Sequence, residues 1–294
     1  MAIGVSVCPS NMPSRHRCHP NSTTALHTHP RARKVSLTMI KNFVGNPVRL
    51  TGLLAVPLMT LWASAAQAQE QDHVVLGVGV AGAPVYQGSK DYRVLPLPAI
   101  DIKKGWLFAN LRNGVGVEPI NTENITIGAS AVFVPGYRKR DVPIGVDKLS
   151  NAVGARLFTN IHASGFVATL GVVKVLSGGT KGTIADAGLS YPVKLSTRFT
   201  VTPTIGTTWA DRKYNDGYFG ITAAESLASG LPQFRAGSGF KDVSGALTAS
   251  YRLTDRVSLS VTGTVSTLLG GVKDSPLVVK KTQPIGILSL TYRL

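Results

Sequence analysis

The sequence contains little cysteine, little charge and few aromatic residues for its length. Only two cysteines occur in 294 residues, which is too few for a disulfide-dense scaffold. Charged residues make up 16% of the chain, below the roughly 25% usual for soluble domains. No window supplies the roughly 20 consecutive apolar residues that a transmembrane helix requires. These shortages exclude a disordered polyelectrolyte and a bundle of membrane-spanning helices.

Residues 39–68 are predicted to be a signal peptide. The segment begins at Met39, carries the basic residues Lys41 and Arg49, and continues through an apolar stretch from Leu53 to Ala63. The small-residue site Ala66-Gln67-Ala68 follows, which predicts cleavage after Ala68. The apolar stretch is too short to anchor the chain in a bilayer, so we expect the mature protein to be exported.

Residues 1–38 differ in kind from the rest of the chain. They hold Cys8, Cys18, four histidines and the basic run Arg31-Ala32-Arg33-Lys34, but these spacings match no standard zinc pattern. We interpret them as a disordered or mis-annotated leader rather than a metal site or a nucleic-acid patch. Seven of the 31 basic residues and none of the 15 acidic ones precede residue 69, so the processed chain 69–294 carries a net charge of +9.

The processed chain alternates between apolar and hydroxyl residues with a period of two. From Phe199 to Trp209 the odd positions are mainly apolar, whereas Thr200, Thr202, Thr204 and Thr208 occupy the even ones. The same alternation returns at 242–253, at 257–267 and at 288–294. Such regular alternation predicts β-strands with one apolar and one polar face.

Twelve strands are predicted along 69–294. They are placed at 73–81, 93–102, 105–111, 114–120, 125–134, 151–161, 166–175, 183–191, 197–210, 242–253, 257–269 and 285–294. Ten strands is the alternative, because 105–111 and 114–120 are short and could form one interrupted unit. Pro96, Pro98 and Pro203 are awkward in a central ladder because proline cannot donate a ladder hydrogen bond.

The connections between these strands alternate in length. The links at 103–104, 121–124, 162–165, 192–196 and 254–256 are short, whereas those at 82–92, 135–150, 211–241 and 270–284 are long. Short periplasmic turns, long extracellular loops and an even strand number are typical of an antiparallel outer-membrane β-barrel. A secreted sandwich or a lipocalin-like cup also alternates, but neither explains the difference between the two sides.

The run Pro84-Val85-Tyr86-Gln87-Gly88-Ser89-Lys90-Asp91-Tyr92-Arg93-Val94-Leu95-Pro96-Leu97-Pro98 resembles the opening motif of the MipA/OmpV family of outer-membrane proteins. Shorter pieces are similar in the same order: Trp106-Leu107-Phe108-Ala109, Trp209-Ala210-Asp211, Tyr218-Phe219-Gly220-Ile221 and Asp274-Ser275-Pro276-Leu277-Val278. The resemblance covers essentially all of 73–294. It implies an outer-membrane barrel, and one branch of the family is described as a scaffold linking a lytic transglycosylase to a murein synthase.

No catalytic, cofactor-binding or metal site is predicted, so the protein is not expected to be an enzyme. The run Gly77-Val78-Gly79-Val80-Ala81-Gly82 matches a dinucleotide fingerprint, but it lies within a predicted strand and no helix follows it. His73 and His162 are the histidines of the processed chain, and both are placed away from the long loops. Loop acids such as Asp141 are interpreted as solvated.

The long loop and the C-terminal segment are each expected to have a functional role. The long loop 211–241 contains Tyr214, Tyr218, Phe219 and Phe234 and a possible short helix at 221–227, so it is a candidate plug or binding lid. The alternating residues Leu288, Leu290, Tyr292 and Leu294 form the expected C-terminal insertion signal, in which Leu294 stands where a terminal aromatic residue is common. The expected function is a non-enzymatic scaffold embedded in outer-membrane lipid, and the alternative is a diffusion pore for small solutes.

Overall fold

The computed structural model describes residues 72–294. The predicted leader at 1–38, the signal peptide at 39–68 and its cleavage site after Ala68 therefore lie outside the described residues. In the described part of the chain, no helix is long and apolar enough to cross a membrane.

Twelve antiparallel strands follow one another in chain order. They are β1 (His73–Pro84), β2 (Tyr92–Lys104), β3 (Leu107–Asn110), β4 (Gly114–Asn121), β5 (Ile125–Val134), β6 (Ala152–Ala163), β7 (Phe166–Val175), β8 (Thr183–Ser190, resuming as Val193–Lys194), β9 (Phe199–Ala210), β10 (Gly239–Arg252), β11 (Val257–Leu268) and β12 (Thr282–Arg293). Each strand pairs with its neighbours in sequence, and β12 pairs with β1. The predicted twelve-strand barrel is confirmed, and the ten-strand alternative is wrong.

The period-two pattern of the sequence decides which side chains face out. On β1, Val78 and Val80 face outward and Val78 is 70% exposed, whereas Gly77 and Gly79 face the interior. Because the bilayer surrounds an outer-membrane barrel, these exposed apolar side chains meet lipid rather than water. The glycine run at 77–82 is thus part of a strand, and the chain continues from it into a second strand.

The two ends of the barrel differ as the sequence predicts. One end has turns at 105–106, 122–124, 164–165, 195–198 and 253–256, together with both termini of the described chain. The other end has loops at 85–91, 135–151, 176–182, 211–238 and 269–281. We therefore assign the short-turn end to the periplasm and the loop end to the outside.

The loop at 211–238 contains two helices, of which the sequence predicts only one. The first, α1 (Arg212–Phe219), has no counterpart in the prediction. The second, α2 (Ala223–Ser229), starts two residues later than predicted because Thr222 caps it, and it ends before Gly230.

Part of the barrel wall is incomplete. Strand β3 has only four residues and pairs with β2 from Asp101 to Lys104. Within residues 72–294, the edge of β2 between Tyr92 and Ile100 therefore has no partner strand on that side. Likewise, β4 pairs with β5 no further than Ala131. We call the resulting gap between β2 (92–100) and β5 (132–134) the wall gap.

Candidate functional site

Four loops at the outer end fold together into one hydrophobic cluster, which we call the loop cap. They are the loops at 85–91, 135–151, 211–238 and 269–281. The buried side chains that they contribute are Tyr86, Tyr137, Val146, Tyr214, Tyr218, Phe219, Ile221, Val272 and Leu277. Because all four loops share this cluster, each of them holds the others in place.

Tyrosine rings form the centre of the loop cap. The ring of Tyr137 lies 5.7 Å from that of Tyr86 and 5.4 Å from that of Tyr218, measured between centroids. The Tyr86 hydroxyl donates to the carbonyl oxygen of Leu277 at 3.0 Å, and the Tyr218 hydroxyl accepts from the backbone N–H of Gln87 at 3.1 Å. These hydrogen bonds satisfy the polar ends of rings that are otherwise buried.

The sequence of the long loop explains both of its helices. The Asp211 side chain accepts a hydrogen bond from the N–H of Tyr214 at 2.8 Å and so caps α1. Thr222 and Glu225 form a capping box at the start of α2, in which each side chain bonds the backbone of the other. Gly230 ends α2 in the left-handed conformation, with φ of 74°.

The loop 135–151 is fastened to α2. The N–H of Asp147 donates to Glu225 Oε1 at 3.1 Å. Gly145 has φ of +93°, and a Cβ there would lie 2.5 Å from the backbone of Ala228, so only glycine fits this close approach. The two loops therefore behave as one body in the cap.

Burial and hydrogen bonding shift the pKa values of loop-cap residues in opposite directions. Burial raises the pKa of Tyr218 to about 12 and raises the pKa values of Tyr137 and Tyr214 above their usual value. Burial alone would raise the pKa of Glu225 too, but hydrogen bonds from Thr222 and Asp147 outweigh it and lower that pKa. At neutral pH the hydroxyls of these tyrosines therefore stay protonated, and Glu225 stays ionised.

A layer of polar residues lies beneath the loop cap. Gln283 on β12 accepts from the N–H of Gly88 at 2.9 Å and donates to the carbonyl oxygen of Ser89 at 2.7 Å. Lys241 on β10 pairs with the adjacent Asp242 and donates to the side-chain oxygen of Gln87. The loop at 85–91 is thus bound to strands that lie more than 150 residues away in sequence.

A charged cluster crosses the middle of the barrel interior. Arg156 on β6 makes two hydrogen bonds to the carboxylate of Asp186 on β8, at 2.6 and 2.9 Å. Its Nε also donates to Asn113, which lies in the turn between β3 and β4, at 3.2 Å. The guanidinium lies over Gly171, where a Cβ would overlap it. This bidentate pair fixes the arginine across the lumen on the β3–β8 side.

Hydroxyl groups line the opposite side of the interior, on β9 to β12. Thr248 and Thr262 face each other with their hydroxyl oxygens 3.0 Å apart, and Ser250 and Ser260 do the same at 2.9 Å. Further inward hydroxyl side chains are Thr200, Thr202, Thr204, Ser244, Thr264, Ser266, Ser289 and Thr291. Ile285 and Ile287 on β12 also face inward, so this side of the lumen is lined mainly, but not only, by short hydroxyl side chains.

Basic residues concentrate on one side of the periplasmic end. Exposed cations lie at the ends of β8, β10 and β12 and on the turns after β8 and β10, and we call this set the basic rim: Lys194, Arg198, Arg252, Arg256 and Arg293. These turns are neighbours, because the N–H of Arg252 donates to the carbonyl oxygen of Arg198 at 2.8 Å. The N–H of Arg293 likewise donates to the carbonyl oxygen of Arg256 at 2.8 Å. Asp255 is the single acid within 194–198, 252–256 and 291–294.

The structure brings the four predicted plug residues together, and three of them are buried. Tyr214, Tyr218 and Phe219 are buried side by side in the loop cap. Phe234 packs against their cluster and lines a cavity of about 500 Å³ between α1, α2 and residues 233–235. A bridge to Ile221 holds it there, with N···O distances of 3.0 and 3.1 Å.

The predicted C-terminal insertion residues form one outer face of β12. Leu288, Leu290, Tyr292 and Leu294 all point outward, and the N–H of Leu294 donates to the carbonyl oxygen of Val74 on β1 at 2.9 Å. The role of these residues in insertion stays a prediction.

The two histidines of the processed chain lie away from the loop cap, whereas the loop acid Asp141 is paired within a cap loop. His73 lies 3.4 Å from Asp101 at the periplasmic end, and His162 is exposed near the turn after β6. In the described part of the chain, no group of three or more His, Cys, Asp or Glu residues could hold a metal ion. Asp141, interpreted from sequence as solvated, instead pairs with Arg93 at 2.9 Å, and its side chain is only 9% exposed.

Sequence reasoning missed the charged cluster and the basic rim. Arg156 and Asp186 each interrupt a predicted strand at an inward position, and asking which charges fall on the polar face of a strand would have found both. The basic rim could have been found in the same way, by counting charges turn by turn. Asn113 carries no such signal, because only the fold brings its turn against β6.

The chain matches a family model described as MltA-interacting protein MipA over residues 76–294. It belongs to the MipA family. A 24 kDa outer membrane protein of Pasteurella multocida is 24% identical over 257 residues, covering 82% of this chain and 97% of that protein. The MltA-interacting protein of Escherichia coli is 26% identical over 249 residues, covering 80% and 95% respectively.

Solved structures of outer-membrane barrels are also similar. The KdgM porin aligns over 74% of this chain and 98% of its own, with a TM-score of 0.40 and 8% identity. The CymD monoaromatic hydrocarbon channel aligns over 76% and 89%, with a TM-score of 0.37 and 11% identity.

Family and architecture together locate the protein. This MipA-family chain is an outer-membrane β-barrel, as the names of its relatives and its closed antiparallel sheet agree. The MipA family is one of non-enzymatic outer-membrane proteins. The predicted localisation is therefore confirmed.

Proposed function

We propose that this MipA-family protein is a non-enzymatic scaffold that docks a lytic transglycosylase, and through it a murein synthase, at its basic rim. The observation that carries the proposal is the charge of that rim, where five exposed cations stand against one acid on neighbouring turns. The name of the Escherichia coli relative, MltA-interacting protein, supports the same partner class.

The basic rim compensates for the small size of the periplasmic turns. Turns of two to four residues offer little area, so shape complementarity alone gives them little hold on a partner. A concentrated positive field instead steers a partner with an acidic surface and raises its association rate by about 10- to 1000-fold. The expected partner therefore presents carboxylates towards the membrane.

Charge-neutral variants test the docking. The purified barrel in detergent is immobilised, and association of the lytic transglycosylase from the same organism is followed at low and high salt. We expect Arg198→Gln/Arg252→Gln/Arg256→Gln to slow association about tenfold or more at low salt, because steering depends on these charges. The matched control, Arg138→Gln/Lys139→Gln/Lys148→Gln, removes the same charge at the loop end and should leave association unchanged.

The outcomes separate clearly. Equal association rates for the wild type and the rim variant would refute docking at the rim. Absence of any association between the wild-type barrel and the enzyme would refute the proposed partner itself. Heat-modifiability on gels, in which a folded barrel migrates faster than the boiled one, shows that each variant has folded.

The hydroxyl-lined side of the lumen favours a second candidate, a channel for small polar solutes. Short Ser and Thr side chains leave the β9–β12 side of the interior polar, whereas the loop cap covers the outer mouth. A channel would therefore conduct only as far as the cap permits. Planar-bilayer recording tests this on the wild type and on Phe219→Ala, which loosens the cap. Silence in both excludes the channel, and a steady current whose ion selectivity changes in Asp186→Asn supports it.

A further inference from the structure

A cavity lies where the wall gap meets the loop 135–151, which supplies most of its lining. Its volume is about 490 Å³, within the range of small-molecule sites. From β2 it is lined by Arg93 and Leu95, which belong to the inward-facing set of that strand, and from β5 by Phe133, which faces outward and is 67% exposed. A cavity lined by the inner face of one strand and the outer face of another lies within the wall itself.

Proline keeps the edge of β2 unpaired. The carbonyl oxygen of Val74 accepts from Leu294 on β12, so the even residues of β1 direct their backbone groups to β12 and the odd ones to β2. The odd residues of β1 pair with Leu95, Leu97 and Ala99 of β2. The even residues of β2, including Pro96 and Pro98, therefore direct their backbone groups to the wall gap. Two of the donors that another strand would need are therefore missing at this edge.

This geometry disfavours two occupants. A strand from a second copy of the chain cannot pair regularly with this edge, because the two N–H donors at Pro96 and Pro98 are missing from it. Bare hydrocarbon is equally unsuitable, because the remaining backbone groups on this edge would be left without hydrogen-bond partners in lipid. The occupant must combine an apolar part with polar groups.

The lining of the cavity matches that requirement. Leu95, Phe133 and Leu149 supply apolar surface, whereas Arg138 and Lys148 supply charge at the loop end. Neither Arg138 nor Lys148 has a carboxylate of the described residues within ion-pair distance. Arg93 is paired with Asp141 at 2.9 Å, but its Nε is buried and has no hydrogen-bond partner in the part of the chain that the structure describes.

We propose that the wall gap binds a phosphorylated lipid of the outer leaflet, with an acyl chain against Leu95 and Phe133 and a phosphate at Arg138 and Lys148. The loop end of the barrel faces that leaflet, so the acyl chains approach the gap from the side and the phosphates lie level with the cations. The Arg93–Asp141 pair closes the upper border of the gap. This site is independent of the basic rim, which lies at the other end of the barrel.

Lipid binding to the purified full-length barrel tests the proposal. Diphosphorylated lipid A is titrated into the protein in detergent, and its dissociation constant is measured by native mass spectrometry. We expect Arg138→Gln/Lys148→Gln to weaken binding about tenfold or more, since each cation near a lipid phosphate adds to the affinity. Phe133→Ala, an exposed position whose truncation leaves the barrel core intact, should also weaken it.

The controls decide between sources and sites. Lys194→Gln/Arg198→Gln removes two cations from the periplasmic end and should leave lipid A binding unchanged. Inorganic phosphate in large excess should not displace the lipid, because it lacks the acyl chain. Unchanged affinity in the Arg138/Lys148 variant, unchanged affinity in Phe133→Ala, or complete displacement by inorganic phosphate would each overturn the proposal.

Discussion

Replacing Phe219 by alanine is the sharpest single perturbation of the loop cap. Its side chain is fully buried among the tyrosines, and its ring lies 4.7 Å from that of Tyr218. Its carbonyl oxygen accepts from the Ser275 hydroxyl at 2.6 Å, which joins α1 to the loop at 269–281. Phe219→Ala leaves that backbone contact in place and removes only the packing.

The expected cost follows from the burial. Truncation of a buried phenylalanine to alanine costs about 3–5 kcal/mol when the surroundings relax only partly. Each 1.4 kcal/mol is a factor of ten in an equilibrium constant, so the population of the open state of the cap should rise by about two to four orders of magnitude. Because Phe219 lies on α1 and not on a strand, the loss should be confined to the loops.

Hydrogen–deuterium exchange of the folded protein measures this directly. Amides of 211–238 should exchange about 100-fold faster or more in Phe219→Ala, since their exchange rate follows the local opening equilibrium. Leu227→Ala is the matched control, because Leu227 lies on α2 in the same loop and is 90% exposed. Unchanged exchange in 211–238, or equal acceleration in the barrel strands, would show that the cap is not a separately stabilised unit.

Three other predictions concern the wall, the cap and insertion. Gly77→Ala should lower the yield of heat-modifiable barrel, because a Cβ there would lie 2.1 Å from a backbone oxygen of β12, whereas Gly82→Ala meets nothing within 4 Å and should fold normally. Because the pKa of Glu225 is lowered, its ionised form stabilises the folded loop above the carboxyl's usual pKa of about 4.3, and this stabilisation is lost as pH falls through the lowered pKa. Amide hydrogen exchange at 223–229, corrected for intrinsic rates, should therefore become faster in acid. Glu225→Gln should remove that pH dependence. Leu294→Phe should raise, and Tyr292→Ala lower, the amount of barrel inserted in isolated outer membranes, and equal amounts would contradict an insertion role for this face.

The strands could be predicted because burial in a bilayer imposes a simple pattern. On β9 the even threonines and the odd apolar residues separate without exception from Thr200 to Thr204, and the strand lies where the pattern places it. Pro203 sits within it because its backbone faces the break in β8, where the N–H of Tyr191 still donates to its carbonyl oxygen at 3.1 Å. A periodic pattern therefore survives an unfavourable residue when the neighbouring strand is interrupted.

The joining of four loops into the loop cap, and the wall gap, could not be predicted, because both depend on contacts distant in sequence. The residues around Tyr86 do not predict that its hydroxyl bonds the carbonyl oxygen of Leu277. Similarly, α1 contains Asn215, Asp216 and Gly217, which are weak helix formers. That helix is held by its Asp211 cap and by burial in the cluster. The short length of β3 likewise follows from where the chain turns at Asn113, whose side chain bonds Arg156 across the interior.

The bonds that join the loop at 85–91 to Leu277 and Gln283 connect the first hairpin of the barrel with its last. They require β12 to lie beside β1, so they form only after the final strand has reached the first. The outer surface that these loops create is consequently a marker of completed assembly. An antibody raised against that surface would distinguish finished molecules from chains still held by the insertion machinery.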